Sequence, residues 1–460
     1  MTERRFRTAA TLAALVAALH PFVYLPFMSR HTTGDSAEYV ALARAIRHGS
    51  YSTRIADQEV VDYTPTPHRV DLTGITWSAA ARQLPQSDAY RTPGYPLLLA
   101  AVGGGGAGAS RHVLYAVQAV LIGLTAVLLA LLVRRLWGPR IALVAAIVFA
   151  LDPYSKRYVT MVLGETLAGF LATASGYALV RSWQERSVRW WTATGLLVGA
   201  LTLVRPVFAI AIPLVAVGAL LAAGVGARRR IVVAAACLAG SLVVVLPWIA
   251  RNAAVTGKAA LADYGAGWNL LIAAHGEGYG RTMAQVYASP SYARDFAAPQ
   301  RFAPTVEQLR TDHDAYARYL VKADAVQRST AIDLYLHRLG RDPSRVLWEF
   351  GYRAYFLWMA HTDWFQPTGI KLFLLRLVDW AVMILAIVGV ALELRAGRAG
   401  RALGVFLIVY TLVSALGHVE ARYTVPLRSL YLGFATLALC RLAALARGWR
   451  ASRSGDPAPA

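Results

Sequence analysis

The sequence predicts an all-α polytopic membrane protein, and three observations carry that class. Charged residues make up 16% of the 460-residue chain and hydrophobic residues 57%, whereas a soluble chain of this size holds about a quarter charged. Apolar runs recur at roughly the twenty residues that a membrane-crossing helix needs. Between them, arginines cluster in every second connection. The net charge of +21 therefore follows topology, as the positive-inside pattern of cytoplasmic loops requires. A nucleic-acid partner is not needed to explain it.

The first element is "MTERRFRTAATLAALVAALHPFVYLPF", a basic flank followed by an apolar stretch. A secretory signal would have a shorter apolar core and a small-residue cleavage site, so this reads as an uncleaved first span. Further spans are expected near 111–134, 140–152, 158–180, 190–204, 206–223, 231–249, 371–394, 402–417 and 424–440, about ten to eleven in all. The short loops with Arg134, Arg135 and Arg140, with Arg181, Arg186 and Arg189, with Arg228 to Arg230, and with Arg395, Arg398 and Arg401 are then cytoplasmic. Two long connections, about 30–110 and 250–370, face outward. Residues 1–449 form one membrane domain on this reading, and the polar tail 450–460 is expected to be unstructured. Cys237 and Cys440 fall inside apolar segments and read as inert buried thiols.

The first outward connection opens with "HTTGDSAEYVALARAIRHG", residues 31 to 49. Tyr39, Leu42, Ala43 and Ile46 share one helical face, which predicts a helix lying in the membrane interface and ending near Gly49. "RTPGYPLLLAAV" at 91–102 forces a turn before apolar residues re-enter the membrane. "GGGGAG" at 103–108 is a flexible break and lacks the strand, lysine and helix of a phosphate loop. In the second connection, "TVEQLRTDHDAYARYLVKADAV" is amphipathic and helical in pattern. The stretch after it mixes Trp, Tyr and Phe with Arg, as segments at headgroup level do.

Polar groups at the outward ends of the spans supply candidates for chemistry, since such groups are costly near a membrane. Asp35, Glu38 and Tyr39 follow the first span; Lys156 and Glu165 lie near the fourth. Arg205 breaks "LTLVRPVFAIAIP", Arg251 ends the seventh span, and Arg422 opens the last. Carboxylates can act as general bases or hold a divalent metal, and guanidinium groups clamp phosphate. Each has a plainer reading. "DSAE" fits a capping box with Asp35 at the N-cap and Glu38 three residues on, and an arginine at a span end is an ordinary snorkelling anchor. The histidines match no zinc spacing.

Taken in order, "GDSAEYVALARAIRHG", "RTPGYPLLLA", "LGETLAGFL", "GLLVGALTLVRPVFAIAIPL", "LPWIARNAAVTG", "GAGWNLLIAAHGEGYG" and "EARYTVP" resemble the GT-C membrane glycosyltransferases. The similarity is to the protein mannosyltransferase and aminoarabinose transferase-like groups of glycosyltransferase family 39. That resemblance implies a GT-C fold with interfacial helices in the first outward loop. It implies an inverting hexosyl- or pentosyltransferase that moves a sugar from a polyprenyl-phosphate donor to a lipid, glycan or protein acceptor. The work would take place on the extracytoplasmic face of the inner (plasma) membrane.

By the same resemblance Asp35 and Glu165 stand at the positions of the catalytic acids. Glu38, Tyr39, Arg91, Lys156, Arg205, Arg251, Asn269 and Arg422 would bind substrate. One departure is that Asp35 is followed by Ser36, where some relatives carry an Asp-Glu pair. No cofactor is implied, and a divalent metal at the outward carboxylates stays open. The alternative class is a transporter or flippase for an anionic lipid-linked sugar, which would use the same arginines. The polar residues gather at one surface and no internal repeat is visible, which favours the enzyme over the broken, pseudo-symmetric halves of a transporter.

Overall fold

The computed structural model describes the chain except for residues 1, 28–33, 63–67, 72, 105–107, 222–225, 263, 277–282, 360–368, 397–398 and 455–460. Helix α1 (Glu3–Leu19) runs into a 3-10 segment (His20–Phe27), and α2 (Gly34–Arg47) follows. The first long connection then holds strands β1 (Ser52–Arg54), β2 (Val60–Asp62), β3 (His68–Val70), helix α3 (Ala79–Arg82) and β4 (Pro85–Ser87). The chain re-enters the bundle with α4 (Gly94–Ala101), α5 (Gly108–Trp137), α6 (Pro139–Leu151), α7 (Pro153–Arg157), α8 (Glu165–Glu185), α9 (Val188–Val204), α10 (Ala211–Leu220) and α11 (Ala227–Thr256). The second long connection carries α12 (Ala266–Ala274), α13 (Met283–Tyr287), α14 (Pro290–Ala297), α15 (Val306–Thr311), α16 (Ala315–Arg341) and α17 (Pro343–Phe356). It ends in α18 (Gly369–Ala396), α19 (Arg401–Ser414), a 3-10 segment (Ala421–Leu427) and α20 (Arg428–Ser454).

Each of the ten expected spans overlaps a helix of this bundle. Among the described residues five stretches, Glu3–Val23, Ala109–Trp137, Ala227–Thr256, Phe373–Ala396 and Ala421–Arg447, are long and apolar enough to cross a membrane. The helices Pro139–Leu151, Val188–Val204, Pro206–Leu220 and Arg401–Ser414 are apolar but shorter. Helix α20 continues to Ser454, into the stretch expected to be unstructured. The first long connection, where interfacial helices are expected, also holds two antiparallel ladders among its described residues. Thr53 pairs with Gln86 in one, and Val61 with Arg69 in the other. β-Branched Thr53, Val60, Val61 and Val70 suit an extended backbone, and three-residue strands are too short to show a period.

Small residues let the helices approach closely. Helix α9 packs along α11, with Gly195 and Gly199 one turn apart in "GLLVG" facing Gly240 and Ser241. A Cβ on Gly199 would sit 2.8 Å from the Ser241 carbonyl oxygen, and one on Gly240 would sit 2.7 Å from that of Thr192. Inside a membrane, where burial of apolar area gives little drive, such backbone approach is what binds helices together. Buried alanines do the same elsewhere, with Ala126 and Ala130 on α5 and Ala142, Ala145 and Ala146 on α6.

The two long connections build one cap on the same end of the bundle. Trp77, Ala81 and Ile55 from the first pack with Tyr316, Tyr319 and Leu309 from the second. Asp71 is fully buried there and is satisfied by Thr73, Ile75 and Trp77 at 2.7–2.9 Å. Tyr319 donates to Thr73 at 2.8 Å, and the Gln86 amide donates to the Leu309 carbonyl at 2.8 Å. This shared core places the candidate residues of both connections around one mouth.

The α9–α11 contact yields a direct test. Gly199→Ala is expected to lower stability by about 1–3 kcal/mol through overpacking, read as a lower thermal midpoint in detergent. Gly218→Ala in α10, where the nearest atom to a new Cβ is Trp183 at 3.9 Å, is expected to be neutral or slightly stabilising.

Candidate active site

Asp35 sits in the first turn of α2, whose Leu42 and Ala43 are fully buried while Arg44 and Arg47 reach outward. Its two oxygens go to two arginines from distant parts of the chain. Arg91 Nη2 donates to Oδ1 at 2.7 Å, and Arg422 Nη1 donates to Oδ2 at 2.8 Å. Arg91 also donates through Nε to Glu38, one turn further along α2. Both carboxylates of "DSAE" therefore face guanidinium groups brought in by tertiary structure.

Local structure explains how Arg91 is presented. Asp88 Oδ1 accepts the backbone N–H groups of Tyr90 and Arg91, each at 2.9 Å, an Asx-type turn that precedes α4. Arg251, at the end of α11, donates to the carbonyls of Asp88 and Tyr51, the latter at 3.0 Å. Tyr51 in turn donates to the Arg91 carbonyl at 2.9 Å. Gly94 fixes the next step, since a Cβ there would lie 2.7 Å from the Leu203 carbonyl at the end of α9. Arg251 thus holds the loop that carries Arg91.

Glu165 opens α8, fully buried, and pairs with Arg205. Arg205 stands where α9 breaks: its φ of −142° is extended, and Pro206 follows. The guanidinium groups of Arg205 and Arg422 lie 5.7 and 5.9 Å from the ring centre of Tyr423. Arg91 lies 5.2 Å from that of Tyr39, and Tyr39 meets Tyr95 edge-on at 5.0 Å. Glu420 pairs with Arg422 from the far side. Asp35, Glu38, Glu165 and Glu420 thus gather with Arg91, Arg205 and Arg422 around Tyr39 and Tyr423 at the mouth.

Seven sequence-predicted residues meet there: Asp35, Glu38, Tyr39, Arg91, Glu165, Arg205 and Arg422. Arg251 stands behind them on backbone carbonyls. Asn269 lies beside the last loop, its carbonyl accepting from His418 N at 2.8 Å. Lys156 is elsewhere. It is fully buried on α7, donates to the Phe149 carbonyl at 2.6 Å and Ser155 at 3.1 Å, and neighbours the Asp152–Arg428 pair. Sequence reasoning did not single out Asp88 or Glu420. The signals were present, in Asp88 two and three residues before the N–H groups it holds and in Glu420 two before Arg422. Among the described residues no three His, Cys, Asp or Glu side chains gather as a metal-holding group.

Charge separates the acids. Burial pushes Asp35 up, but Arg91 and Arg422 outweigh it and hold the carboxyl well below the usual carboxylate range. Glu420 is likewise brought down to about 2, burial being outweighed chiefly by Arg422. Burial dominates at Glu38, which shares Arg91 with Asp35, and lifts it to about 8. Neighbouring carboxyls with separated proton affinities suit unequal roles in proton transfer.

Residues 96–250, about a third of the chain, match the family model described as dolichyl-phosphate-mannose-protein mannosyltransferase. The apo crystal structure of the Archaeoglobus fulgidus oligosaccharyltransferase aligns over 99% of this chain and 52% of that one, at 15% identity and TM-score 0.54. The chain has the GT-C glycosyltransferase fold. A second structure, the archaeal oligosaccharyltransferase AglB from Archaeoglobus fulgidus in complex with an inhibitory peptide and a dolichol-phosphate, covers the same shares at 13% identity and TM-score 0.50. The chain spans about half the length of those archaeal proteins. ArnT from Cupriavidus metallidurans in the apo state aligns more loosely, over 94% of this chain and 75% of that one, at 16% identity and TM-score 0.36. No curated protein sequence matches the chain significantly.

The raised Glu38 gives a pH signature. Between its ordinary 4.5 and about 8 the folded chain holds a proton that the unfolded chain has lost. Its contribution to stability is therefore full below 4.5, falls as pH rises, and is lost above about 8. Thermal midpoints from pH 5 to 8 should drop less in Glu38→Gln than in the parent, by about several degrees.

Proposed function

We propose that the protein is an inverting glycosyltransferase that uses a polyprenyl-phosphate-linked sugar donor, with its site on the extracytoplasmic face of the inner membrane. The observation that carries the reading is the Asp35 carboxylate held between Arg91 and Arg422. Support also comes from the family match over 96–250 and from the archaeal oligosaccharyltransferase fold. The reading takes in a pentosyl or hexosyl donor and a lipid, glycan or protein acceptor.

In the proposed reaction the acceptor hydroxyl loses its proton to Asp35 while its oxygen bonds to the anomeric carbon. The bond from that carbon to the phosphate oxygen breaks, and its electron pair leaves on the polyprenyl phosphate. Guanidinium groups favour this step because they meet the charge that grows on the leaving phosphate. Arg91, Arg422 and Arg205 are the groups at hand. An arginine that turns from Asp35 to the phosphate also frees the carboxylate, which then binds a proton more readily. The donor phosphate would thereby activate the base that its own departure requires. Glu165 keeps Arg205 in place, and Glu420 does the same for Arg422. Arg251 positions Arg91 through the backbone.

A transporter would need the same phosphate clamp and no base. Asp35→Asn separates the two, because an amide keeps the shape but takes no proton at neutral pH. The variant should insert and bind a polyprenyl-phosphate sugar, yet lose sugar transfer in liposomes by roughly 10²-fold or more. Transfer at the parental rate would remove Asp35 from the chemistry.

A further inference from the structure

The hairpin of α16 and α17 has no part in the proposed transfer. Asp342 turns the chain, accepting from Ser344 Oγ at 2.7 Å and Arg345 N at 3.0 Å. Between the hairpin and the end of α12 lies a cavity of about 410 Å³, lined among others by His275, His337, Arg338, Arg341 and Arg345. Arg338 is anchored on the Ala274 carbonyl at 2.8 Å and on both oxygens of buried Glu349 at 2.7 and 2.9 Å. His275 is held by Asp295 at 3.1 Å. Arg345 is half-exposed, with Nε 3.4 Å from Glu349. Arg341 and His337 are exposed and make no hydrogen bond or ion pair with a described residue. Asp342 is the acid in the cavity lining, next in sequence to Arg341.

The hairpin's outside is apolar. Ile332, Leu336 and Leu339 recur at helical spacing on α16, and Leu347, Trp348 and Tyr352 on α17, all exposed. The opposite face of α17 is fixed to the bundle. Arg353 donates to the Ala415 carbonyl at 2.8 Å, and Tyr335 of the neighbouring α16 donates to that of Leu416 at 2.9 Å, both just past the end of α19. Trp380 of the membrane-crossing α18 donates to Tyr355 at 2.7 Å. The apolar stripe therefore continues the exposed surface of Phe373, Leu374 and Leu377 on α18. Aromatic residues beside arginines, at the end of a span and above a lipid-facing flank, match the headgroup layer in chemistry.

We propose that the α16–α17 hairpin lies in the membrane interface and that its cavity binds the phosphate of an anionic phospholipid. Arg341 and Arg345 hold the phosphate oxygens, Arg338 supplies a fixed wall, and the apolar stripe accepts the acyl chains. The stripe's continuity with α18 selects a bilayer lipid over a soluble anion. Basic side chains at a surface favour an anionic headgroup over a zwitterionic one. No sugar donor enters the argument, so the site stands apart from the transferase reading.

The full chain in an uncharged detergent, titrated with dihexanoyl-phosphatidylglycerol, dihexanoyl-phosphatidylcholine or inorganic phosphate, tests this by its thermal midpoint. Phosphatidylglycerol should stabilise at the lowest concentration, phosphatidylcholine should need more, and inorganic phosphate should do little. Arg341→Gln/Arg345→Gln, on exposed positions, should keep the lipid-free midpoint and need roughly tenfold more phosphatidylglycerol or above. Leu347→Ser/Trp348→Ser should weaken the response to both lipids. An unchanged phosphatidylglycerol response in the arginine variant would overturn the site. Inorganic phosphate acting as well as phosphatidylglycerol would make it a soluble-anion site and overturn the lipid assignment.

Discussion

The geometry of the mouth depends on one ion triad: Asp35 shared by Arg91 and Arg422, the latter 387 residues away in sequence. Partly buried charges must be paired, because leaving one alone costs several kcal/mol. The fold therefore has to bring α2, the turn before α4 and the loop after α19 to one point. Arg251 secures the turn, Glu420 secures the loop, and the Glu165–Arg205 pair closes the third side. Pro206 ends α9 at Arg205, and the close α9–α11 contact holds that helix against the bundle.

A clamp this tight has a chemical consequence. A carboxylate held far below its usual range is a weak base in the free protein. The same arginines that suppress it are the cations a phosphate would seek. On the proposed reading, binding and activation are one event, because phosphate and carboxylate compete for the same guanidinium groups. Such competition would also guard against idle proton exchange at an empty site. Glu38, lifted by burial to about 8, keeps excess negative charge out of the mouth at neutral pH.

Much of this was legible in the sequence. Hydropathy and arginine spacing located the helices, and the acids and arginines at span ends named seven of the residues that meet. Individual pairings were not legible, because they depend on distant chain segments. "DSAE" looks like a capping box, and nothing local shows that Arg91 and Arg422 take its carboxylates. Lys156 looked like a phosphate ligand by its place between spans, but α7 turns its ammonium into the bundle toward Phe149. Arg251 looked like a ligand and stands on backbone carbonyls. The strands of the first connection escaped notice because three-residue ladders carry no usable period.

The exchange of guanidinium groups between Asp35 and a phosphate is the central claim, and titration of Asp35 tests it most directly. Infrared difference spectra of the parent, with Asp35→Asn subtracted, isolate this carboxyl with and without undecaprenyl phosphate. The account predicts that the lipid phosphate raises the midpoint of Asp35 toward the ordinary carboxylate range, by about a unit or more. A midpoint that stays in place or falls when the lipid phosphate binds would contradict it.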